Sequence, residues 1–485
     1  MSLPTSSPSS QHVDARGVLA LVDALEAGGH DPHSLLVARH GHDVARGWWA
    51  PYAAERNQLV YSLSKSFTAA AIGLLVDAGR VRLDDRVFDL IPAAEIPDGA
   101  QVQERYQRLT LGHCLTMATG HTADAWTAAV SAAAQAPSED GTDPVLGAIL
   151  AAAPEQEPGT VWAYNQIATY LAAAVVRAVT GEGLLEFARP RLLGPLGATD
   201  VRWHRTATGR ELAFSGIHVG SDAILALAQT HLDAGRWQGE QLLSSDWVTH
   251  AIAPTGLPNT EADPNPDWAQ GYGCSFWNAR HGYRGDGAYG QFAIVLPEQD
   301  VTIAITSEAT DMQAVLDLVW EHLLPAVDRE GDESADAELA GRLRDLHVPT
   351  LASSGTGPDE ASWSRSADST LPRAYAGVSL ARRCAAAYEL VLDHDGTKVP
   401  VAVGEGEWAE STLVLGGAEL PVVAAGGWQE DGTFAADLRL IETPHTIAVR
   451  TRTDGTVDLG WREVPLHGPD PVSVAVRGPG LPAQS

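Results

Sequence analysis

Lysine is almost absent from this 485-residue sequence: only Lys65 and Lys398 occur, and every other basic residue is arginine. Acidic residues outnumber basic ones so strongly that the formal net charge is −30 at pH 7. Such a chain repels nucleic acid and anionic membranes, so we expect neither as a partner. Because arginine has replaced lysine nearly everywhere, each lysine that is kept calls for a chemical reason.

Cysteine is also scarce, and Cys114, Cys274 and Cys384 lie far apart along the chain. Their spacing predicts neither a disulfide framework nor a metal site. No uninterrupted apolar run is long enough to cross a bilayer, and the polar N-terminal segment lacks the apolar core of a signal peptide. We therefore expect a cytoplasmic protein that uses no cofactor and no metal; a homo-oligomer is left open.

The chain is long enough for two domains, and its hydrophobic patterns change along its length. Alternating apolar and polar residues predict a hairpin in 33–52 and three strands in 271–307. Helical periodicity predicts helices in 62–79 and 311–327, and alanine-rich helices dominate from about 110 to 235.

These patterns predict a first domain over 12–328, with a helical subdomain at about 85–235. A polar stretch over 329–374 is predicted to be a linker with one weak helix. Short strands between glycine and proline turns then predict a β-rich second domain over 375–485.

Ser62 and Lys65 lie three residues apart at the start of an apolar helix and therefore share one helix face. A serine hydroxyl needs a base to become a nucleophile, and a lysine serves if burial lowers its pKa. Arginine cannot be deprotonated, which would explain why this lysine is kept. The helix N-terminus also favours the oxyanion formed when serine attacks an acyl group. The tetrapeptide alone is a weak signal, because serine often precedes lysine by chance.

A second candidate is Tyr164, which follows a Pro-Gly turn at the start of another apolar helix. A phenolate, or a phenol sharing a proton with Lys65, can act as general base and general acid for the serine. The alternative is a tyrosine that only packs at the helix entrance. His121 is a further residue that we expect near the cleft, with no defined role.

A third candidate is the glycine-rich segment YRGDGAYGQF, residues 283–292. Glycines on a strand allow a substrate to approach the backbone closely, and one N–H group there would complete an oxyanion hole with that of Ser62. Arg284 would hold a substrate carboxylate, and Asp286 would hold an amine or pair with Arg284. The alternative is a glycine-rich hairpin with a surface ion pair.

Taken together, these segments resemble the superfamily of serine β-lactamases and penicillin-binding proteins, above all its class C-like serine hydrolases, esterases and D-amino-acid peptidases. Ser62-Leu63-Ser64-Lys65 matches the S-x-x-K motif, and Tyr164-Asn165-Gln166 falls where the family has Tyr-x-Asn. Arg284-Gly285-Asp286 falls where it has K-T-G or H-x-G. The order and separation of the three agree with the family over residues 12–327, which is far more specific than any one motif.

The resemblance implies an α+β fold: an antiparallel sheet flanked by helices, with an inserted all-helical subdomain. It also implies that Ser62 is the nucleophile and that Lys65 and Tyr164 handle its proton. The N–H groups of Ser62 and Gly287 would form the oxyanion hole, with the register at Gly287 open by one residue. The C-terminal domain is similar to the lipocalin-like β-barrels appended to some relatives.

Two departures from the family pattern bear on the substrate. Gln166 replaces the usual asparagine, and the third motif lacks both lysine and histidine and carries Asp286. Gln166 keeps an amide on a longer side chain, so we expect it to orient the substrate differently. The altered third motif weakens the case for recognition of β-lactams or D-Ala-D-Ala, and so does the absence of a signal peptide. The favoured hypothesis is a serine hydrolase that acts through an acyl-enzyme on small esters, amides or short peptides. The alternatives are an inert scaffold that binds a ligand or a protein and, as a minor option, a β-lactamase.

Overall fold

The computed structural model of the chain describes residues 3–138, 141–259 and 265–475. These form two units. One comprises the described residues up to Gly47 together with Val60–Arg344, and the other comprises Trp48–Leu59 together with the described part of Asp345–Arg477. The three cysteines are unpaired: Cys114 and Cys274 are buried, and Cys384 is exposed.

The helices of the first unit are α1 (Ala15–Ala27), α2 (Ser64–Asp77), α3 (Val87–Leu90), α4 (Leu111–Leu115), α5 (Ala128–Gln135), α6 (Pro144–Ala151), α7 (Gln166–Thr180), α8 (Leu184–Ala188), α9 (Ser221–Leu232), α10 (Ser245–Ile252), α11 (Met312–Leu318) and α12 (Glu333–Arg344). Its strands are β1 (Pro32–Arg39), β2 (His42–Trp48), β4 (Arg202–Trp203), β5 (Ile217–Val219), β6 (Arg236–Trp237), β7 (Glu240–Gln241), β8 (Trp277–Asn278), β9 (Tyr283–Gly287), β10 (Gln291–Leu296) and β11 (Val301–Ser307).

A six-stranded sheet forms the centre of this unit, with the strand order β2-β1-β11-β10-β9-β8. The hairpin predicted for 33–52 is present as β1 and β2, which turn at His40 and Gly41 with φ of 50° and 69°. The strands predicted in 271–307 are also present, and β9, β10 and β11 pair antiparallel in sequence. β9 is the second strand from one edge of this sheet, next to the short edge strand β8.

The helices pack on this sheet and on one another in a way that brings distant segments of sequence together. α9 packs on β1, β10 and β11, whereas α2 packs on α7 within the helical part of the unit. α2 is buried on almost all sides, as expected of an apolar helix in the middle of a unit. The α2–α7 contact positions the start of each helix, where the first two motifs lie.

The second unit contains β3 (Gln58–Leu59) and the strands β12 (Glu360–Arg365), β13 (Tyr375–Cys384), β14 (Ala387–His394), β15 (Thr397–Gly404), β16 (Ala409–Leu415), β17 (Ala418–Trp428), β18 (Phe434–Leu440), β19 (His445–Thr451) and β20 (Thr456–Trp461). Eight of them close into a barrel, in the order β15-β14-β13-β12-β20-β19-β18-β17. The ring is closed by the parallel bridge between Gly404 of β15 and Ala425 of β17, and β16 pairs on the outer side of β17.

The barrel strands show the expected alternation between interior and exterior. Tyr388, Leu390 and Leu392 of β14 are buried, and the residues between them are only partly buried. The predicted fold class is therefore confirmed: an α+β unit with an antiparallel sheet, followed by a closed eight-stranded barrel. The barrel strands pair antiparallel except where β12 meets β20 and β15 meets β17. The segment 329–374, predicted as a linker, contributes α12 to the first unit and β12 to the second. Within the described residues, no helix is both long enough and apolar enough to cross a membrane.

Candidate active site

Ser62 lies in a single 3₁₀ turn, Tyr61–Leu63, that leads directly into α2. The residue before it, Tyr61, has a φ of 45°, a left-handed conformation that costs a bulky residue about 1–2 kcal/mol. Ser64 holds the turn in place: its hydroxyl donates to Tyr61 O at 2.5 Å and accepts from Ile217 N at 3.1 Å. The chain is thus held in a strained turn at the residue predicted to be the nucleophile, as is common at active sites.

Lys65 is only 1% exposed and reaches three oxygen atoms with its side-chain nitrogen. Nζ lies 2.7 Å from Gln166 Oε1, 2.9 Å from Phe214 O and 3.2 Å from Ser62 Oγ. Burial lowers the pKa of Lys65 from 10.5 to about 7, although the charges of Asp124 and Asp286 oppose the shift. The lysine is therefore neutral in a large fraction of molecules at physiological pH.

The three contacts of Lys65 suit a neutral amine. The amide oxygen of Gln166 and the carbonyl oxygen of Phe214 can only accept hydrogen bonds. Each therefore accepts one of the two N–H groups of the neutral amine. Its lone pair is then left for Ser62 Oγ, the third neighbour. This arrangement aims a base at the serine hydroxyl.

Tyr164 lies two residues before α7 and shares a side-chain hydrogen bond with Ser62. Its ring stacks on Trp277 with 5.5 Å between ring centroids and 17° between planes, and Lys65 Nζ lies 4.7 Å from its centroid. Burial, reinforced by the charge of Asp286, raises the pKa of Tyr164 far above its usual value. Tyr164 is thus a neutral phenol beside the serine, able to give a proton rather than to take one.

Gln166, the first residue of α7, was expected to orient substrate, but the structure places its side chain on Lys65. Its own position is fixed by the backbone, because Gln166 N donates to Asp124 Oδ1 at 3.0 Å. Asn165 caps α7 by accepting from Ile167 N. The longer side chain of glutamine therefore keeps the acceptor that an asparagine would offer.

The third segment lies on β9, whose residues alternate between two faces. On one face, a Cβ atom at Gly287 would lie 2.0 Å from Val60 O, and one at Gly285 would lie 2.5 Å from Ser66 Oγ. These two glycines allow the strand to lie against the turn that carries Ser62. Asp286, on the other face, lines the same cavity as Ser62, and so does Ala288 in the turn that follows β9; Gly287 is not among the described lining residues.

Arg284 does not reach this cavity, in contrast to the expectation that it holds a substrate carboxylate. Its guanidinium is fully buried, lies 4.2 Å from the Trp268 ring centroid and donates to Asp267 O at 2.8 Å. Its Nε and Nη2 atoms lie 3.1 and 3.0 Å from one carboxylate oxygen, Oδ2 of Asp286. Because Trp268 covers it and Asp286 neutralises it, Arg284 positions Asp286 instead of binding substrate.

His121 also lies outside the cavity, which corrects its expected place near the cleft. Its ring nitrogens contact Thr119 Oγ1 at 3.0 Å and Ala152 O at 3.3 Å. Burial lowers its pKa, so that it is neutral in this network. His121 is not among the described residues that line the cavity, and its contacts are those of a structural histidine.

The cavity in front of Ser62 has a volume of about 550 Å³, the size of a small-molecule site. Its described lining residues are Ser62, Trp162, Tyr164, Asn259, Asn265, Trp268, Trp277, Asp286, Ala288, Thr310, Asp311, Met312 and Gln313. Among these, two are aspartates and none is basic. A second chamber of about 320 Å³ shares three of the indole rings, and its other described lining residues carry no charge.

Sequence reasoning missed several of these residues. Phe214 contributes a backbone oxygen, which leaves no trace in the residue type. Trp277 comes from the segment 271–307, which was predicted only as strands and turns, and Trp268 lies just before that segment. Asp311 caps α11. Only Trp162, two residues before Tyr164, lay close enough to a motif to be suspected. Within the described ranges, no group of three or more His, Cys, Asp or Glu residues could hold a metal ion.

Comparison with known sequences gives two matches. A sequence model of the family described as Beta-lactamase matches residues 20–324 of this chain. Penicillin-binding protein 4 of Amycolatopsis lactamdurans is 25% identical over 278 residues, which make up 50% of this chain and 70% of that protein. The family match spans residues 20–324, which include the turn at Ser62 and the whole of β9.

Comparison with solved structures finds similar folds at low identity. A candidate 6-aminohexanoate-dimer hydrolase from Bacillus anthracis aligns with a TM-score of 0.51 and 19% identity, over 71% of this chain and 89% of its own. SurE in its structure with D-Leu aligns with a TM-score of 0.50 and 20% identity, over 87% of this chain and 96% of its own. At such identities the likeness is one of fold.

Proposed function

Because the chain belongs to the β-lactamase family, we propose that it is a serine hydrolase that acts through an acyl-enzyme on small esters or amides. The resemblance inferred from its three motifs is confirmed by the family match over residues 20–324. Fold and family do not by themselves define an activity. The proposal therefore rests on the chemistry around Ser62.

The observation that carries the proposal is the position of Lys65. Its nitrogen lies 3.2 Å from Ser62 Oγ, and its pKa is about 7 because the side chain is buried. A base whose pKa is near the working pH is the most effective general base. An inert scaffold would have no need to bury one of the chain's two lysines beside a serine that directly follows a strained residue, Tyr61.

In the proposed acylation, Ser62 Oγ attacks the substrate carbonyl carbon while Lys65 Nζ takes the hydroxyl proton. The carbonyl oxygen becomes an oxyanion, and we assign its two donors to the N–H groups of Ser62 and Ala288. Ala288 replaces Gly287 in this role because it lines the cavity, within the one-residue uncertainty of the sequence prediction.

Collapse of the tetrahedral intermediate breaks the bond to the leaving group, which takes a proton from Tyr164. The proton on Lys65 restores the phenol as the leaving group departs. Water then attacks the acyl carbon of the ester on Ser62, and Lys65 takes a proton from that water. Lys65 passes this proton to Ser62 Oγ as the bond between Oγ and the acyl carbon breaks and the acid is released. No metal or cofactor enters this sequence of steps.

Small esters, and amides or short peptides with D-residues, are the proposed substrates. SurE has been solved with D-Leu, so D-aminoacyl amides belong in any substrate panel. A β-lactamase activity is disfavoured, because the described lining residues include Asp286 and Asp311, and none of those described is a basic side chain that would hold the carboxylate of a β-lactam.

The proposal is tested by a hydrolysis panel at fixed enzyme concentration, with Ser62→Ala as the blank. The panel holds short p-nitrophenyl esters, D- and L-aminoacyl p-nitroanilides and a chromogenic cephalosporin. Turnover of one class that depends on Ser62 supports the hydrolase and identifies the leaving group. No turnover, together with no labelling of Ser62 by a fluorophosphonate, would favour the inert scaffold that binds a ligand or a protein.

A further inference from the structure

Asp286 is one of two aspartates among the described residues that line the cavity. It lines the cavity together with Ser62, and its charge acts on both Lys65 and Tyr164. Burial raises the pKa of Asp286, and Arg284 opposes that shift. The ion pair with Arg284, with a further hydrogen bond from Trp277, holds the carboxylate in place at this wall.

The pair is oriented so that its negative end faces the cavity. The guanidinium of Arg284 is fully buried behind Trp268 and is not among the described lining residues. Both of its contacts with Asp286 reach the same oxygen, Oδ2. A group inside the cavity therefore meets a carboxylate first and the compensating cation only beyond it.

The other described lining residues strengthen this field and do not oppose it. Asp311 adds a second carboxylate, and no lysine or arginine is present among them. Lys65 is not among the described lining residues, and its pKa of about 7 leaves it only partly protonated at neutral pH. Indole rings form much of the remaining wall, and indole is the aromatic group that attracts cations most strongly.

The geometry points to an ester or amide substrate that carries an ammonium group, which binds against Asp286 while the scissile carbonyl lies at Ser62. This inference rests on the proposed function and names its substrate class. Asp286 lies next to the last residue of β9, and Ala288 is the first residue after the strand. Because they are two positions apart in the chain, their Cα atoms are separated by at most about 7 Å. An ammonium group two to four bonds from a carbonyl carbon, with the carbonyl oxygen held at Ala288 N–H, would reach the carboxylate.

Matched substrates test the ammonium group without changing shape. Alanyl p-nitroanilide, in both D and L forms, is compared with isobutyryl p-nitroanilide, in which a methyl group replaces the ammonium. Acetylcholine is compared with 3,3-dimethylbutyl acetate to test the leaving-group side in the same way. We expect kcat/KM to be at least tenfold higher for the cationic member of at least one pair.

Variants then assign the preference to Asp286. In Asp286→Asn the ratio of cationic to neutral kcat/KM is expected to fall to within about twofold of one. Asp311→Asn is the matched control: asparagine caps a helix as well as aspartate does, and the exposed Asp311 is expected to change the ratio much less. Since Asp286→Asn leaves Arg284 buried without its partner, the double variant Arg284→Met/Asp286→Asn serves as a second test.

A ratio of cationic to neutral kcat/KM near one for both substrate pairs in the unaltered protein would overturn the inference. A preference for the cationic substrate that persists in Asp286→Asn would overturn it as well. Failure of the hydrolase proposal would look different, because the neutral substrates would then also show no turnover dependent on Ser62. In that case calorimetric titration of Ser62→Ala with choline and with 3,3-dimethylbutanol still decides the matter. Choline binding at least tenfold tighter supports the inference, and equal binding overturns it.

Discussion

The side chain of Gln166 joins the second motif to the first: its amide oxygen accepts a hydrogen bond from Lys65 Nζ at 2.7 Å. Phe214 O, at 2.9 Å, accepts a second hydrogen bond from the same nitrogen, and Ser62 Oγ is its third contact. Gln166 is therefore a positioning residue for the base, and the electrostatics of the site depend on its being neutral.

Gln166→Glu should move the pH profile of the enzyme upward. A carboxylate at this position would lie next to Nζ and favour the protonated amine, so the pKa of Lys65 would rise from about 7 by a unit or more. The check is the pH dependence of kcat/KM on a neutral p-nitrophenyl ester, with Gln166→Asn as the matched neutral control. A profile that does not move would show that Gln166 is not in contact with the base.

Lys65→Met should stabilise the fold, and by an amount that depends on pH. The pKa of Lys65 in the folded state, about 7, lies below the usual 10.5. At pH values below about 7 the folded state therefore holds a buried charge, which lowers its free energy of unfolding. Between about 7 and 10.5 only the unfolded state holds the extra proton, and the stability of the unaltered protein therefore rises with pH. We expect Lys65→Met to gain on the order of 2–4 kcal/mol at pH 6 and less at pH 9.

Urea denaturation of both proteins at the two pH values measures this difference. The same pair of curves for Lys398→Met is the control, because Lys398 is an exposed residue in an ion pair with Asp393. An advantage of Lys65→Met that stays constant between pH 6 and pH 9 would contradict the lowered pKa of Lys65.

Tyr164→Phe should impair turnover more for poor leaving groups than for good ones. The raised pKa of Tyr164 keeps it a neutral phenol, which matters most where the leaving group needs a proton. We expect a loss of about tenfold to a hundredfold on anilides or alkyl esters and a smaller loss on p-nitrophenyl esters. Equal losses on both classes would indicate that Tyr164 only holds Ser62 in place.

Gly287→Ala should disrupt the site, whereas Gly285→Ala should be tolerated better. The added carbon at Gly287 would lie 2.0 Å from a backbone atom, Val60 O, just before the strained turn. At Gly285 the nearest atoms belong to the side chains of Ser66 and Leu63, which can adjust. Comparison of kcat and melting temperature for the two variants tests this, and equal behaviour would show that β9 does not support the Ser62 turn.

The sequence predicted the elements of this fold better than it predicted the contacts within the site. Hydrophobic periodicity identified the β1–β2 hairpin, α2 and the strands up to Ser307, because each has a regular pattern of burial. The spacing of Ser62 and Lys65 on one helix face was also readable, since it depends only on local geometry. The closure of the barrel depends on pairing between β15 and β17, which no local pattern encodes.

The errors at the site share a physical origin. Arg284 and His121 were assigned to the cleft by residue type, but each is held by partners distant in sequence, Asp267 and Ala152 respectively. The carbonyl oxygen of Phe214 contributes to the site through its backbone alone. Our proposal of Ala288 instead of Gly287 as the oxyanion donor depends on the packing of Gly285 and Gly287 on the Ser62 turn, which no local sequence pattern predicts.

The most direct test of the central claim, that Ser62 is a nucleophile with Lys65 as its base, is the rate of phosphonylation by a fluorophosphonate as a function of pH, followed by intact mass and peptide mapping. The account predicts one adduct at Ser62, absent in Ser62→Ala, with a rate that rises through a pKa of about 7 and is lost in Lys65→Arg. No adduct at Ser62, or an equal rate in Lys65→Arg, would contradict it.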